Sequence, residues 1–136
     1  MSAIFEKFCL KDRTAIVTGG AGLLGKEFCR TLAQAGALVV VADLNGSAAE
    51  MVSDSLNREG LRSCAVSVDV TCPDAVRAMV SAALDSTGRL DILVNSAAMD
   101  PKFDDSQQGQ HGNTFENYPV EAWRQALDVN LTGMFL

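Results

Sequence analysis

Two rhythms of apolar residues alternate along this chain. Compact β-prone runs at residues 14–18 and 38–42 give way to stretches whose apolar residues recur every three or four positions. Runs with no polar face suit strands buried on both sides, as in a parallel sheet covered by helices. The pattern predicts a first strand at 14–18 and a first helix over about 23–35. That helix has Leu24, Phe28 and Leu32 as its stripe, and Gly36 ends it. The second strand, 38–42, closes on Asp43. A second helix follows over about 47–59, with Met51, Val52 and Leu56 inward and Gly60 as its stop.

A third strand is expected at 62–68, ending at Asp69 and Val70, and Pro73 stands where the first turn of a helix tolerates it. The helix behind it puts Val76, Met79, Val80, Ala83 and Leu84 on one face and stops at Gly88. Residues 90–94 read as a fourth strand closing on Asn95, Ser96, Ala97 and Ala98. Strands alternating with helices long enough to return the chain mean a parallel α/β sheet. About twenty mostly polar residues, 99–119, then break the rhythm, a length unusual for a plain connection. They leave the carboxyl end of a strand, the side on which open α/β sheets bind ligands. A last helix over 120–136 sets Val120, Trp123, Leu127, Asn130, Leu131 and Met134 on one face.

Composition narrows the function classes. At 136 residues, 48% hydrophobic and 21% charged, the chain is sized for one globular domain. A net charge of −6 with no basic run argues against nucleic acid and anionic membranes as partners. Glu6 and Lys7 interrupt the N-terminus, so it is no secretory h-region, and no apolar run approaches a membrane span. The four cysteines, at 9, 29, 64 and 72, form no Cys-x-x-Cys pair and do not cluster with His111. No metal site and no disulfide framework is expected, and free thiols suit a reducing, cytoplasmic setting. Cys29 and Cys64 read as small core residues, His111 as a solvated side chain, and Glu121 and Asp128 as exposed helix charges.

The chemistry concentrates in Thr18-Gly19-Gly20-Ala21-Gly22-Leu23-Leu24-Gly25. Glycines at 19, 22 and 25 let the backbone turn sharply and approach a bulky anion, while the following helix aims free N–H groups and its positive dipole end there. That arrangement is a pyrophosphate cradle, although glycine at such turns also serves packing alone. Asp43, 18 residues beyond Gly25, can accept hydrogen bonds from a ribose 2′-hydroxyl and would repel a 2′-phosphate. Neither Leu44 nor Asn45 supplies a cation, so NAD is expected over NADP. Asp69 reads either as an acceptor for the adenine edge, with Val70 against its face, or as a plain loop carboxylate. The Asn95 amide could bond a neighbouring strand or the cofactor, and Ala97 and Ala98 keep that region small. Asn130, on an apolar stripe, should be buried and partnered. It reads either as a structural amide bonding a helix or loop carbonyl, or as an active-site amide that orders water.

Taken together, the glycine turn, Asp43, Asp69-Val70, Asn95-Ser96-Ala97-Ala98 and Val129-Asn130 resemble the short-chain dehydrogenase/reductase family, from about residue 10 to residue 136. The resemblance implies an α/β Rossmann-type doubly wound parallel sheet and hydride transfer between a nicotinamide cofactor and a small-molecule alcohol or carbonyl. It assigns Gly19, Gly22 and Gly25 to the pyrophosphate, Asp43 to the adenosine ribose, Asp69 and Val70 to adenine, and Asn95 to the cofactor side of the sheet. Thr18, Leu23, Leu24, Leu44, Ser96 and Ala97 complete the cofactor-binding set, and Asn130 matches the asparagine of the family's catalytic tetrad. The glycine spacing is the form commoner among sugar-nucleotide epimerases of the family, but that branch tends to carry histidine where Asn95 stands. Ser96 and Ala98 replace a more frequent asparagine and glycine. Residues 95–103 and 129–136 resemble a bacterial subset associated with flagellin modification and surface sugars.

One family element has no match. Its proton donor is a tyrosine followed four residues later by lysine, whereas Tyr118 is followed by Ala122, and the lysines at 7, 11, 26 and 102 form no such pair. The chain is therefore expected to be the N-terminal portion of a Rossmann domain, truncated after the fourth strand and the next helix, and inactive alone. A fourth strand with an unpaired edge, beside an uncovered helix stripe, would favour a homo-oligomer. Two other readings stand beside the dehydrogenase half: a non-catalytic nucleotide-binding or interaction module, and a sugar-nucleotide epimerase.

Overall fold

The computed structural model describes residues 6–99 and 118–136. Four strands, β1 (Thr14–Thr18), β2 (Leu38–Asp43), β3 (Ser63–Ser67) and β4 (Ile92–Asn95), form one sheet in the order β3-β2-β1-β4 with every pair parallel. Between them run α1 (Leu23–Gln34), α2 (Gly46–Arg58) and α3 (Pro73–Thr87). After β4 come α4 (Val120–Leu127), a π-helical turn at Asp128–Thr132 and the short α5 (Gly133–Phe135). This is the parallel α/β sheet expected from the pattern, in the Rossmann-type arrangement that the resemblance implies. Most of the polar stretch 99–119, including His111, lies outside the described residues.

Strand alternation sorts the core into two layers. Ala15, Val17, Val39 and Val41 pack with Cys29, Ala33 and Leu56 of α1 and α2. Their neighbours Ile16, Val40 and Ala42 point the other way, onto Val76, Met79 and Ala83 of α3. Burying both faces of β1 and β2 explains why polar residues stand only at their ends, with no alternating polar face between. Gly88 ends α3 with φ +74, a left-handed cap that glycine adopts without steric cost.

The helix stripes differ from expectation in four places, the least of them on α3, where Leu84 is exposed beside buried Val76, Met79 and Ala83. On α1 the buried residues are Gly25, Cys29 and Ala33, while Leu24 and Phe28 are exposed and Leu32 is half-buried. The glycine turn delivers α1 so close to the sheet that only small side chains fit beneath it, and the large ones rotate outward. On α2, Ala49, Ser53 and Leu56 face the sheet and Met51 is exposed. Buried Ser53 is satisfied by Ser63, whose Oγ lies 3.0 Å from its own. On α4 and α5 no residue is fully buried, and the expected stripe of Val120, Trp123, Leu127, Leu131 and Met134 faces outward. Val129 and Gly133 make the contact with the body instead: Val129 joins the second core layer, and a Cβ added at Gly133 would meet Val70 Cγ2 at 2.8 Å.

At the amino ends of the strands, Asp91 ties the sheet together. It accepts from Thr14 N at 3.0 Å, from Arg89 Nε at 2.9 Å and from Arg13 Nη1 at 2.8 Å. The Arg89 guanidinium first, then the Thr14 N–H, hold its carboxyl well below the usual carboxylate range. Buried Thr14 is satisfied beside Thr87, with the two hydroxyls 2.6 Å apart.

Candidate functional site

A cleft of about 400 Å³ opens at the carboxyl ends of the strands, within the usual size range of small-molecule sites. Its walls are Gly19, Gly22, Asp43, Leu44, Val68, Asp69, Val70, Ser96, Ala97, Ala98, Met99 and Val129. It sits where β1 and β4 diverge to helices on opposite faces, the position that topology assigns to ligands in open α/β sheets.

The three glycines each answer a different constraint. Gly19 takes φ +65, and a Cβ there would lie 2.8 Å from both Ala97 Cα and Ser96 O, so the turn after β1 and the turn after β4 touch backbone to backbone. A Cβ on Gly25 would fall 2.0 Å from Gly19 O, so α1 can pass under the turn only with glycine there. Gly22 is different. An added Cβ would meet Gly19 O at 3.1 Å and nothing else within 4 Å, and the residue lines the cleft. Its open side is where a ligand backbone or phosphate can approach.

Gly22 is also the N-cap of α1, with extended backbone (φ −72, ψ 175), no capping side chain and no acidic residue in the first turn. The first N–H groups of α1 therefore have no side-chain acceptor, and the dipole adds partial positive charge at the same end. These residues fit a pyrophosphate.

Asp43 closes β2 on the cleft wall. Its Oδ2 accepts from Ala21 N at 3.0 Å and its Oδ1 from Asn45 N at 3.0 Å. The carboxylate thus braces the glycine turn against the start of α2, while Asn45 caps α2 through Oδ1 to Ala48 N. A carboxylate offers about four acceptor positions, so two remain for ribose hydroxyls. Asp69 is held similarly: Oδ1 accepts from Thr71 N at 2.9 Å and from its hydroxyl at 2.6 Å. Those bonds, the hydroxyl's foremost, lower its pKa from the ordinary value. Oδ2 has no donor among the described residues and can serve an incoming N–H.

Among the expected cofactor residues, the structure brings Gly19, Gly22, Asp43, Leu44, Asp69, Val70, Ser96 and Ala97 together around the cleft. Thr18 stands behind it as a brace: its hydroxyl accepts from Ser96 N and Ala97 N, both at 3.2 Å. Leu23, 89% exposed, and Leu24 project from the start of α1. Gly25 lies buried beneath the turn, and Asn95 is exposed at the end of β4, outside the cleft lining. Asn130 is half-buried rather than buried, and its amide is doubly engaged: Oδ1 accepts from Met99 N at 2.7 Å and Nδ2 donates to Met99 O at 2.9 Å. The amide thus bonds a loop backbone, the contact that its structural reading expects. Ala98 lines the cleft as well, and Val68, Met99 and Val129 line it without having been assigned a contact there. For Val129 the π turn is the cause, since it re-aims the last helix in a way that 3.6-residue spacing does not anticipate.

Cys29 and Cys64 pack into the two core layers, as expected of small core residues. Burial pushes Cys29 up to about 12 and also raises Cys64, so neither is a ready nucleophile. Among the described residues no group of histidine, cysteine and carboxylate could hold a metal ion, and no helix is long and apolar enough to cross a membrane.

Comparison with known proteins agrees with this geometry. An uncharacterized oxidoreductase, YxjF of Bacillus subtilis, is 35% identical over 127 residues, covering 93% of this chain and 46% of the relative. The 7alpha-hydroxysteroid dehydrogenase of Escherichia coli is 33% identical over 126 residues, covering 93% of this chain and 45% of that enzyme. The crystal structure of a short-chain type dehydrogenase/reductase from Mycobacterium marinum superposes with a TM-score of 0.86 at 28% identity, covering 98% of this chain and 50% of that one. The chain thus spans about half the length of the curated relatives it matches. The family model described as short chain dehydrogenase matches residues 13–136, and the chain belongs to that family.

Proposed function

We propose that this chain is the cofactor-holding half of an NAD-dependent short-chain oxidoreductase, which moves a hydride between nicotinamide and a small-molecule alcohol or carbonyl. The observation that carries the cofactor choice is Asp43, fixed on the cleft wall by two backbone N–H groups beside the cradle of α1. In this reading Gly19 and Gly22 with the first N–H groups of α1 hold the pyrophosphate, Asp43 and Leu44 the ribose, and Asp69 and Val70 the adenine. Thr18 and Asn130 act as positioning residues, one holding the turns of β1 and β4 together and the other holding Met99 at the cleft rim. Ser96, Ala97 and Ala98 form the small floor on which the nicotinamide end rests. When bound, the dinucleotide supplies or accepts the hydride.

In this reading the 136-residue form does not turn over substrate, because Tyr118 is followed four residues later by Ala122 and not by the lysine of the family's proton-donor pair. A sugar-derived alcohol is the substrate class favoured by the residues flanking Asn95 and Asn130, and a cytoplasmic setting suits the free thiols. Calorimetric titration of NADH and NADPH tests the cofactor reading. NADH is expected to bind at least tenfold tighter; equal affinity, or tighter NADPH, would sink it. Detectable alcohol oxidation by the 136-residue chain would overturn the division of labour.

A further inference from the structure

We propose that Gly133 is a positioning residue of the cleft. Its contact with Val70 seats the π turn against the wall formed by Val68, Asp69 and Val70, and so aims Asn130, which holds the rim at Met99. The proposal rests on the cofactor reading above and adds a joint between two parts of that site.

The backbone asks for no glycine at position 133. Its φ of −63 and ψ of −25 are ordinary right-handed helix, open to any residue. Inside a helix glycine is disfavoured relative to alanine, because it gives up more chain entropy. What requires glycine is space. A Cβ there would lie 2.8 Å from Val70 Cγ2, 3.2 Å from Val70 Cβ and 3.3 Å from Val70 O. Val70 cannot retreat: it is β-branched and therefore stiff at χ1, buried, and packed in the core layer of Ile16, Val40 and Val76. The element that yields is the last helix, which buries no residue fully.

A displacement of that helix has a short route to the cleft. Gly133 N donates to Asp128 O, the bond across five residues that closes the π turn. Between those two residues stand Val129, which lines the cleft and packs with the same core layer as Val70, and Asn130. Asn130 commits both ends of its amide to one residue, accepting from Met99 N at 2.7 Å and donating to Met99 O at 2.9 Å. The backbone of Met99, at the cleft rim, therefore goes where Asn130 goes. Val70 belongs to the cleft wall. Wall and rim are thus joined through Gly133 by one chain of packed and hydrogen-bonded groups, the kind of chain that carries coupling between parts of a site. A ligand that fixes the wall fixes the rim. In the cofactor reading, adenine against Val70 sets the floor on which the nicotinamide end rests.

Amide exchange at Met99, read by NMR, reports the rim without any ligand. Gly133→Ala should speed it about tenfold or more and bring it within about threefold of Asn130→Ala, although the atoms nearest the new methyl all belong to Val70. The amides of Val39, Val40 and Val41 should keep their native protection, which shows that the body is folded. Val70→Ala removes the obstructing Cγ2. Gly133→Ala should therefore lower the thermal midpoint in the native background and raise it in the Val70→Ala background, a reversal of sign that only a direct contact gives. Met99 exchange in the double variant should return to the rate of Val70→Ala alone. ADP, which carries adenosine and pyrophosphate but no nicotinamide, is the ligand probe. It should slow Met99 exchange about threefold or more in the native chain and leave it unchanged in Gly133→Ala saturated with ADP. The proposal is overturned if Gly133→Ala leaves Met99 exchange at the native rate, if the double variant stays as fast as Gly133→Ala, or if ADP protects Met99 equally in both chains. The comparison of Gly133→Ala with Asn130→Ala decides even where Val70→Ala does not fold. Rescue by Val70→Ala in a chain that binds neither ADP nor NADH supports the joint and removes the cofactor reading instead.

Discussion

Asp43→Asn separates charge from shape at the cofactor cleft. The native carboxylate accepts two backbone N–H groups, Ala21 N and Asn45 N, each at 3.0 Å and on different oxygens. Asparagine keeps the shape but has one carbonyl oxygen, so one of those N–H groups must face an NH₂. Hydrogen bonds to charged groups contribute about 1.5–3 kcal/mol, and because Asp43 is only half-buried the loss should fall near the lower end. If the lost partner is Ala21 N, the glycine turn loosens and NADH affinity falls about tenfold, equivalent to ~1.4 kcal/mol. The charge acts on the other cofactor. A carboxylate about 4 Å from a 2′-phosphate costs between about 1 kcal/mol in a water-like medium and about 4 kcal/mol in a near-surface one. About 2 kcal/mol suits a cleft rim and makes the native preference for NADH about 30-fold. The variant should reduce that preference to within about threefold, and 0.5 M salt should narrow the native preference by screening. Paired calorimetric titrations, with thermal melts to confirm folding, read both effects. A variant that folds and keeps the native NADH-to-NADPH ratio refutes the assignment of Asp43 to the ribose.

The remaining predictions concern packing, pH and thiol chemistry. Gly25→Ala drives a methyl to 2.0 Å from Gly19 O, backbone against backbone, and should cost about 3 kcal/mol or more in urea unfolding, at or beyond the upper end of overpacking effects. Gly22→Ala has room except for Gly19 O at 3.1 Å, so it should fold normally and lose NADH affinity tenfold or more; unchanged affinity would remove Gly22 from the cradle. Because Asp91 titrates below its unfolded value in the native state, the stability it contributes is present above about pH 4 and drains away as pH falls through the native value. Asp91→Asn should therefore be less stable at neutral pH and show a flatter acid limb in circular dichroism, and parallel acid limbs would count against it. Cys9 and Cys72 are exposed whereas Cys29 is buried with its pKa pushed up to about 12, so a colorimetric thiol reagent should label those two rapidly in the native protein and Cys29 only on unfolding.

What could be read from the chain before its structure follows from the range of each interaction. The strands and their parallel pairing were legible because an uninterrupted run such as Val39-Val40-Val41 suits only a strand covered on both faces. The glycine turn was legible because its constraint is local, within seven residues. The helix faces were less so. On α1 the obvious stripe of Leu24 and Phe28 gave way to Gly25, Cys29 and Ala33, since the distance from helix to sheet is set by a backbone contact with Gly19 that no periodicity records. Ser53 on α2 is buried because its partner, Ser63, lies on the next strand. Asn130 needed a partner, but the partner is Met99, at the far side of the polar stretch, and the π turn that presents Asn130 also re-aims Val129 into the cleft.

The last helix carries the same argument to its end. An apolar stripe in a sequence reports which residues avoid water; it does not report what covers them. In α1 the covering surface belongs to a sheet built before the helix, and the stripe shifted by one position to meet it. In α4 the stripe holds its spacing and faces outward, because the surface beneath the helix is contacted by Val129 and Gly133 instead. The last helices thus meet the body through Val129 and Gly133, while Trp123, Leu127 and Leu131 face outward. Asn57 of α2 bonds both the N–H and the C=O of Ser63 at the β3 edge, whereas β4, apolar and uncharged, has no second strand partner among the described residues. Edge protection on one side only leaves β4 as the edge open to strand addition.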